Sequence, residues 1–442
     1  MTTDLDRDVV FAEVVVVLWL TVVLVRTVRA LARGDRRSIL FVQLVFLVFF
    51  AAPLVLDLTI GPPQFTHHRG FILGQGDRTT NLIYLGYIAW VPLVFRVVGG
   101  PPRFETEAPR LQEVRGWLKV FAWTTMLALP FVITLAPAPE DYARYAAYVG
   151  DTAGANRGYQ AVVTLAATLA VISGVIVLTA PNAVAPVRVA ALPFLAIGVW
   201  IHGKRSIVAM ALLLTLYMLW TRGVLRGRRF IAVSLASGLA LGVFSYAYQA
   251  EVRQVDETPI GRTDAATASP VYVNYRVDYG RDAITRQTIY AELHPDELHV
   301  LDYRGQSLLF DLTFFVPRQM WPDKPYPYAV YATAAMFDIP VRDMGWGITT
   351  SWLDEAIANL GWLGLILGPL VPALVCRIGD RLRTPFGGLL TVTVGGLLLI
   401  LQLIAFMPLF ALWLAAVIRH RVVAAKRPTA ALAPTGLGRP RG

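Results

Sequence analysis

The sequence predicts an all-α polytopic integral membrane protein. Three observations lead there: 56% of the 442 residues are apolar, the mean hydropathy is +0.55, and apolar runs recur at the length of about 20 residues that a helix needs to cross the hydrocarbon core. The net charge of +10 fits arginines placed at cytoplasmic loop ends, so nucleic acid is not an expected partner. Cys376 is the one cysteine, which excludes an intramolecular disulfide and a cysteine-rich zinc site. The six histidines show no HExxH-like spacing. No metal and no cofactor is therefore expected.

Residues 1–8 lack the basic flank of a secretory signal, so the first apolar run, Val9 to Val25, reads as a retained anchor. Arg26, Arg29, Arg33, Arg36 and Arg37 follow it and mark that loop as cytoplasmic, which puts the N-terminus outside. Span two runs from Ser38 to Ile60, and the turn formers of Gly61 to Thr80 make an external loop. Spans three and four, Asn81 to Val98 and Gly116 to Leu135, flank a cytoplasmic loop of mixed charge. After an external loop, Ala136 to Gly158, come span five, Tyr159 to Ala180, span six, Val187 to Ile201, and span seven, Ile207 to Thr221. Arg222, Arg226, Arg228 and Arg229 hold the end of span seven in the cytoplasm.

Parity then places Lys204 and Arg205 in a tight external turn, against the charge rule. Two readings stay open: interfacial snorkelling, or an anion site in which Gly203 lets the backbone approach and Arg205 grips phosphate oxygens.

Span eight, Phe230 to Tyr248, leads into a long hydrophilic segment, which reads as an external domain or lid. Glu251 to Asn274 has the Asp, Thr, Pro and Gly content of a partly unstructured stretch, and short surface helices are expected from Tyr275 onward. The run Ser307 to Val316 is too short to span and reads as an interfacial or re-entrant helix stopped by Pro317. Span nine starts near Leu353 and ends by Cys376, and the apolar stretch Phe386 to Ile418 divides into spans ten and eleven. The domain plan is 1–248 for an N-terminal bundle of eight spans, 249–349 for the external loop, 350–420 for the last three spans and 421–442 for a basic cytoplasmic tail.

Chemistry concentrates between Tyr303 and Trp362. Ser351, Glu355 and Asn359 follow one another at i, i+4 on one helix face. Asp354 completes a capping box with Ser351, whereas Glu355 is costly at a membrane boundary unless it is paired or faces water. It is either a functional carboxylate or half of a salt bridge to Arg318, Lys324 or Arg342. Prolines hold Arg318 and Lys324 on a stiff backbone around Trp321. Trp321, Tyr326 and Tyr328 suit the faces of sugars and equally an interfacial aromatic belt. Tyr303-Arg304-Gly305 is a further cationic turn.

With many spans, the Gly203-Lys-Arg-Ser206 turn, Pro317-Arg-x-x-Trp-Pro-x-Lys-Pro325 in a late external loop, and Asn359-Leu-Gly361 after an acid, the chain resembles the O-antigen polymerase (Wzy-type) family of repeat-unit polymerases. The resemblance covers about 200 residues of the C-terminal half and that turn, and reaches the first five spans only in hydropathy. It implies a GT-C-like arrangement, a location in the bacterial inner (plasma) membrane with the C-terminus cytoplasmic, and metal-independent glycosyl transfer on the external face. Undecaprenyl-pyrophosphate-linked oligosaccharides would be the substrates, in a lipid bilayer, with a chain-length regulator and a flippase as partners. The product would be an O-antigen, capsule or exopolysaccharide.

By that resemblance Arg205, Arg318 and Lys324 contact pyrophosphate and Glu355 is the base, with Asp354 the competing choice. Lys204, Arg304, Trp321 and Asn359 complete the substrate contacts. An O-antigen-ligase-like transferase is one alternative, although loop histidines His294 and His299 sit in no ligase-like motif. A lipid-linked glycan flippase or exporter is another; it needs charges along the spans, where Glu13, Asp57 and Arg96 are the main ones. An assembly or chain-length partner of such enzymes is a third.

Overall fold

The computed structural model describes residues 5–103, 116–136, 139–143, 157–202, 205–247, 270–382 and 384–425. Among them the chain is helical, with no strand. The first half comprises α1 (Leu5–Ala32), α2 (Ser38–Phe46), α3 (Ala52–Thr59), α4 (Arg69–Gly76), α5 (Arg78–Val98), α6 (Gly116–Thr134), α7 (Arg157–Leu178), α8 (Ala185–His202), α9 (Arg205–Thr221) and α10 (Gly227–Ala247). Five short helices follow: α11 (Pro270–Tyr279), α12 (Asp282–Leu293), α13 (Gln306–Thr313), α14 (Tyr328–Phe337) and α15 (Trp352–Leu360). The chain closes with α16 (Trp362–Leu367), α17 (Leu370–Gly379), α18 (Pro385–Leu397) and α19 (Met407–Ala425).

Among the described residues seven helical stretches are long and apolar enough to cross a membrane: Arg7–Ala32, Ser38–Thr59, Arg78–Val98, Ala185–His202, Gly227–Phe244, Trp362–Leu382 and Leu403–Val422. The other four expected runs for which a helix is described, in α6, α7, α9 and α18, are apolar but shorter. The stretch expected as span nine divides. Gly361 has φ +61, the long apolar helix begins at Trp362, and α15 stands before it as a separate element.

One end of the bundle gathers the basic loops. Asp35 accepts from the backbone N–H of Arg103 and pairs with Arg37, which also donates to the Gly100 carbonyl. Asp380 accepts from the Ser38 N–H, and the Trp220 indole donates to the Leu31 carbonyl. The core between the ends is built from α1, α2, α5, α9, α17, α18 and α19, around Phe41, Phe46, Tyr84, Leu214 and Val394. Helices α6, α7 and α8 pack in a side group, where Gly198 brings α8 against Val171 and the Ala167 carbonyl and Thr125 shares a hydrogen bond with Ser173.

The opposite end carries a cap made of α4 and α11 to α15, with its own core of Phe71, Ile284, Tyr328, Tyr331 and Met336. Backbone groups left over by the spans dock it. Pro53 has no N–H to give the Phe49 carbonyl one turn back, a π-helical turn occupies Leu47–Ala51, and that carbonyl accepts instead from the Arg281 N–H at 3.1 Å. The Leu398 carbonyl at the end of α18 accepts from the Trp352 N–H, and the Gln402 side chain accepts from the Ala329 N–H at the start of α14. Residues 270–274, expected to be unstructured, open α11; residues 248–269 lie outside the described segments.

Candidate functional site

Two short helices of the cap face one another. Ser351 closes the start of α15 in a full capping box with Asp354, which leaves Glu355 and Asn359 on the face toward α13. Glycine 305, at φ +81, turns the chain into α13, and Ser307 and Asp311 lie one helical turn apart on its inner side, both buried. The Ser307 hydroxyl donates to Glu355 Oε1 at 2.8 Å and accepts from Asn359 Nδ2 at 2.8 Å. Asn359 Nδ2 also donates to the Glu355 carbonyl. Glu355 and Asn359 are each 1% exposed.

No hydrogen-bond donor among the described residues reaches Asp311 Oδ2, Glu355 Oε2 or Asn359 Oδ1. Three acceptors buried on α13 and α15 are thus left without a donor, and such groups call for hydrogen-bearing partners. Burial pushes the Asp311 carboxyl up to about 7. For Glu355 burial comes first and the Asp311 charge second, against a smaller opposing pull from the Ser307 hydroxyl, and its carboxyl rises to about 8. Two carboxyls in one dry site release their protons in coupled steps. Asp354 is also raised, to about 6, by burial, but both its oxygens accept from the Ser351 N–H. Its position is that of a cap.

The expected cations stand apart from this carboxyl pair. Arg318 donates to the carbonyls of Lys324 at 2.7 Å and Pro325 at 2.8 Å, with its guanidinium 3.9 Å from the Tyr326 ring centre. Lys324 donates to the carbonyls of Phe314 and Val316, both at 2.9 Å, and lies over Phe310. Together they fold the 317–325 loop back on the end of α13. Arg304 pairs with Glu292 and donates to the Ala358 carbonyl at the end of α15. Trp321 is half-buried in the loop, and Tyr328 is buried, sharing a hydrogen bond with Thr288. Arg205 begins α9, and Lys204 lies outside the described residues. None of the three cations named as salt-bridge partners pairs with Glu355: Arg342 lies 3.9 Å from Asp343.

Sequence reading passed over Asp311 and Ser307, because the run Ser307 to Val316 registers as an apolar segment. Its signal was the i, i+4 repeat Ser307–Asp311, which mirrors Glu355–Asn359. It also passed over Arg276, Arg281 and Arg286. The first and last of these form a buried network with Asp57 and Asp282, in which Arg276 and Arg286 donate to Asp282 Oδ2 at 2.7 and 2.8 Å. Arg286 also lies over the Tyr84 ring. Among the described residues no group of three His, Cys, Asp or Glu side chains is placed to hold a metal ion.

No protein-family model, curated protein or solved structure matches this chain.

Proposed function

We propose that this protein is a membrane glycosyltransferase that joins lipid-pyrophosphate-linked oligosaccharide units into a cell-surface polysaccharide. The observation that carries the reading is the buried Glu355 carboxyl, covered by α13, hydrogen-bonded to Ser307, which also accepts from Asn359, and near enough to Asp311 to feel its charge. A base that takes the proton of a sugar hydroxyl works best when its own pKa lies near the working pH, and burial beside Asp311 raises Glu355 into that range. In the reaction the acceptor hydroxyl attacks the anomeric carbon of the growing chain. The bond from that carbon to the pyrophosphate oxygen breaks, Glu355 receives the hydroxyl proton, and the configuration inverts, as in direct displacement with a carboxylate base. Ser307 and Asn359 orient the carboxylate.

For the acceptor to enter, α13 lifts about Gly305 and the 317–325 loop moves with it. Arg318 and Lys324 then turn toward the leaving pyrophosphate together with Arg205, neutralising its charge. Eleven crossings, with the cap on the external face of a bacterial plasma membrane and the C-terminus in the cytoplasm, are the arrangement this reading requires. A transporter without chemistry is less well supported, since Asp57 is already paired with Arg276 and Arg286 instead of lining an open path.

The test uses purified protein and an undecaprenyl-pyrophosphate oligosaccharide in metal-free buffer. Wild type builds a product ladder, and Glu355→Gln, still folded, builds none. A single added unit would identify a ligase-like transferase. Lipid-linked substrate bound without any product would favour transport.

A further inference from the structure

Helix α13 is amphipathic in reverse. Its polar residues Gln306, Ser307 and Asp311 are buried, while Leu312 is 75% exposed and Phe315, three residues on, is 71% exposed, with Phe314 exposed between them. A helix on a water-facing surface carries the opposite pattern, and large apolar side chains presented together mark contact with something apolar. The end of the helix is finished in the same sense. Lys324, itself buried, donates to the Phe314 and Val316 carbonyls, which water could satisfy and hydrocarbon could not.

Contacts fix the level at which α13 lies. Ser307 accepts from Asn359, and Arg304, just before the helix, donates to the Ala358 carbonyl. From there the Gly361 corner leads straight into the membrane-crossing stretch Trp362–Leu382. Glu355, to which Ser307 donates, also feels the Leu403 N–H, and Leu403 opens the crossing stretch Leu403–Val422. Two crossings thus begin beside α13. On the first of them Trp362, Leu363 and Ile366 are exposed, the apolar belt of a lipid-facing helix, and the exposed side of α13 continues that belt onto the cap.

We infer that α13 is a monolayer anchor: Leu312, Phe314 and Phe315 dip into the hydrocarbon of the leaflet on the cap side, and lipid is what covers this face. An amphipathic helix lying in the interface sinks by about 5–10 Å, enough to immerse those side chains. The loop beyond brings Gln319 and Asp323 to the surface, and it stays among the headgroups. The sequence leaves Ser307 to Val316 open between an interfacial and a re-entrant helix; a polar side turned to α15 and an apolar side turned outward select the interfacial one. The inference goes beyond the glycosyltransferase reading and holds whatever Glu355 does. Because α13 also covers Glu355, the bilayer fastens that cover.

Spin labels test it in the full chain reconstituted into phosphatidylcholine nanodiscs. The labelled variants are Leu312→Cys and Phe315→Cys, with Asp296→Cys and Arg342→Cys as references at exposed polar positions of the cap and Leu363→Cys as the reference for lipid; wild type, whose Cys376 is buried, gives the background. Relaxation by oxygen, which partitions into hydrocarbon, is compared with relaxation by a water-soluble nickel chelate. Labels at Leu312 and Phe315 are expected to relax mainly by oxygen, as at Leu363, and those at Asp296 and Arg342 mainly by nickel. Nickel relaxation at Leu312 and Phe315 equal to that at the polar references overturns the anchor and leaves the face to water or to a protein partner. Dipolar broadening between labels on two copies at Leu312 overturns it in favour of a second copy of this chain. Oxygen relaxation in a protein that builds no product ladder keeps the anchor and removes the polymerase reading.

Discussion

Glu355 and Asp311 are carboxyls held to a higher pKa in the fold than in an unfolded chain, where such groups titrate near 4. The sign follows directly. Between about pH 4 and pH 8 the folded protein keeps protons that the unfolded chain has released, so stability is greatest below that window and falls as pH rises through it. Activity runs the other way, because the base form of Glu355 appears only as the pair loses its proton. The transfer rate is expected to climb with pH to a midpoint near the raised Glu355 value of about 8. Asp311→Asn removes the neighbouring negative charge, so that midpoint should move to lower pH while activity persists. A pH–rate profile with an unmoved midpoint would deny the two carboxyls their coupling. Rate falling as pH rises would make Glu355 an acid instead of a base. The i, i+4 spacing of Ser351, Glu355 and Asn359 was legible in the sequence, and so was the Asp354 cap. Asp311 was not, since an acid inside an apolar run declares its partner only when another helix is laid against it.

At the scale of elements, the α15–α16 corner depends on two glycines. Gly361 adopts φ +61, ψ −137, a region open to glycine and strained for other residues. A Cβ on Gly364 would lie 1.8 Å from the Ala356 carbonyl oxygen, which cannot move without breaking α15. Gly361→Ala is expected to lose about 1–3 kcal/mol from the strained dihedral, and Gly364→Ala at least as much from overpacking. Thermal unfolding in detergent measures both. A melting temperature unchanged by Gly364→Ala would mean the two helices are not in this contact. The arginine network makes a second case. Asp282→Asn leaves Arg276 and Arg286 short of a buried counter-charge, which costs about 3–5 kcal/mol, and should free the start of α12 from the Phe49 carbonyl. Asn359-Leu-Gly361 could be read as a motif from the sequence, but its physical reason is a corner, visible only once α15 and α16 are seen as separate helices. Arg318 and Lys324 are the converse case: the sequence shows two cations on a proline-stiffened loop, and the fold adds that Arg318 donates to the loop's own carbonyls and Lys324 to those at the end of α13.

Over the whole molecule the helical, membrane-crossing character was legible because bilayer thickness writes itself into run length. Sidedness is a matter of charge. The basic end gathers Arg37 and Arg103 around Asp35 and Asp380, with Arg377 donating to the Val98 carbonyl and Arg381 next to Asp380 in the chain, and positive residues of short loops favour the cytoplasmic side. By that rule the cap, with Asp311 and Glu355, is expected to face outward. Single-cysteine labelling decides it, because Cys376 is buried and silent toward an impermeant maleimide. Gln319 is exposed on the cap loop and Arg381 is exposed at the basic end. In intact cells Gln319→Cys is expected to label at once, and Arg381→Cys only after the membrane is opened. The opposite pattern would place the carboxyl pair in the cytoplasm. There it could not act on units displayed at the outer surface, and polymerisation by this chain would have to be abandoned whatever the chemistry of Glu355.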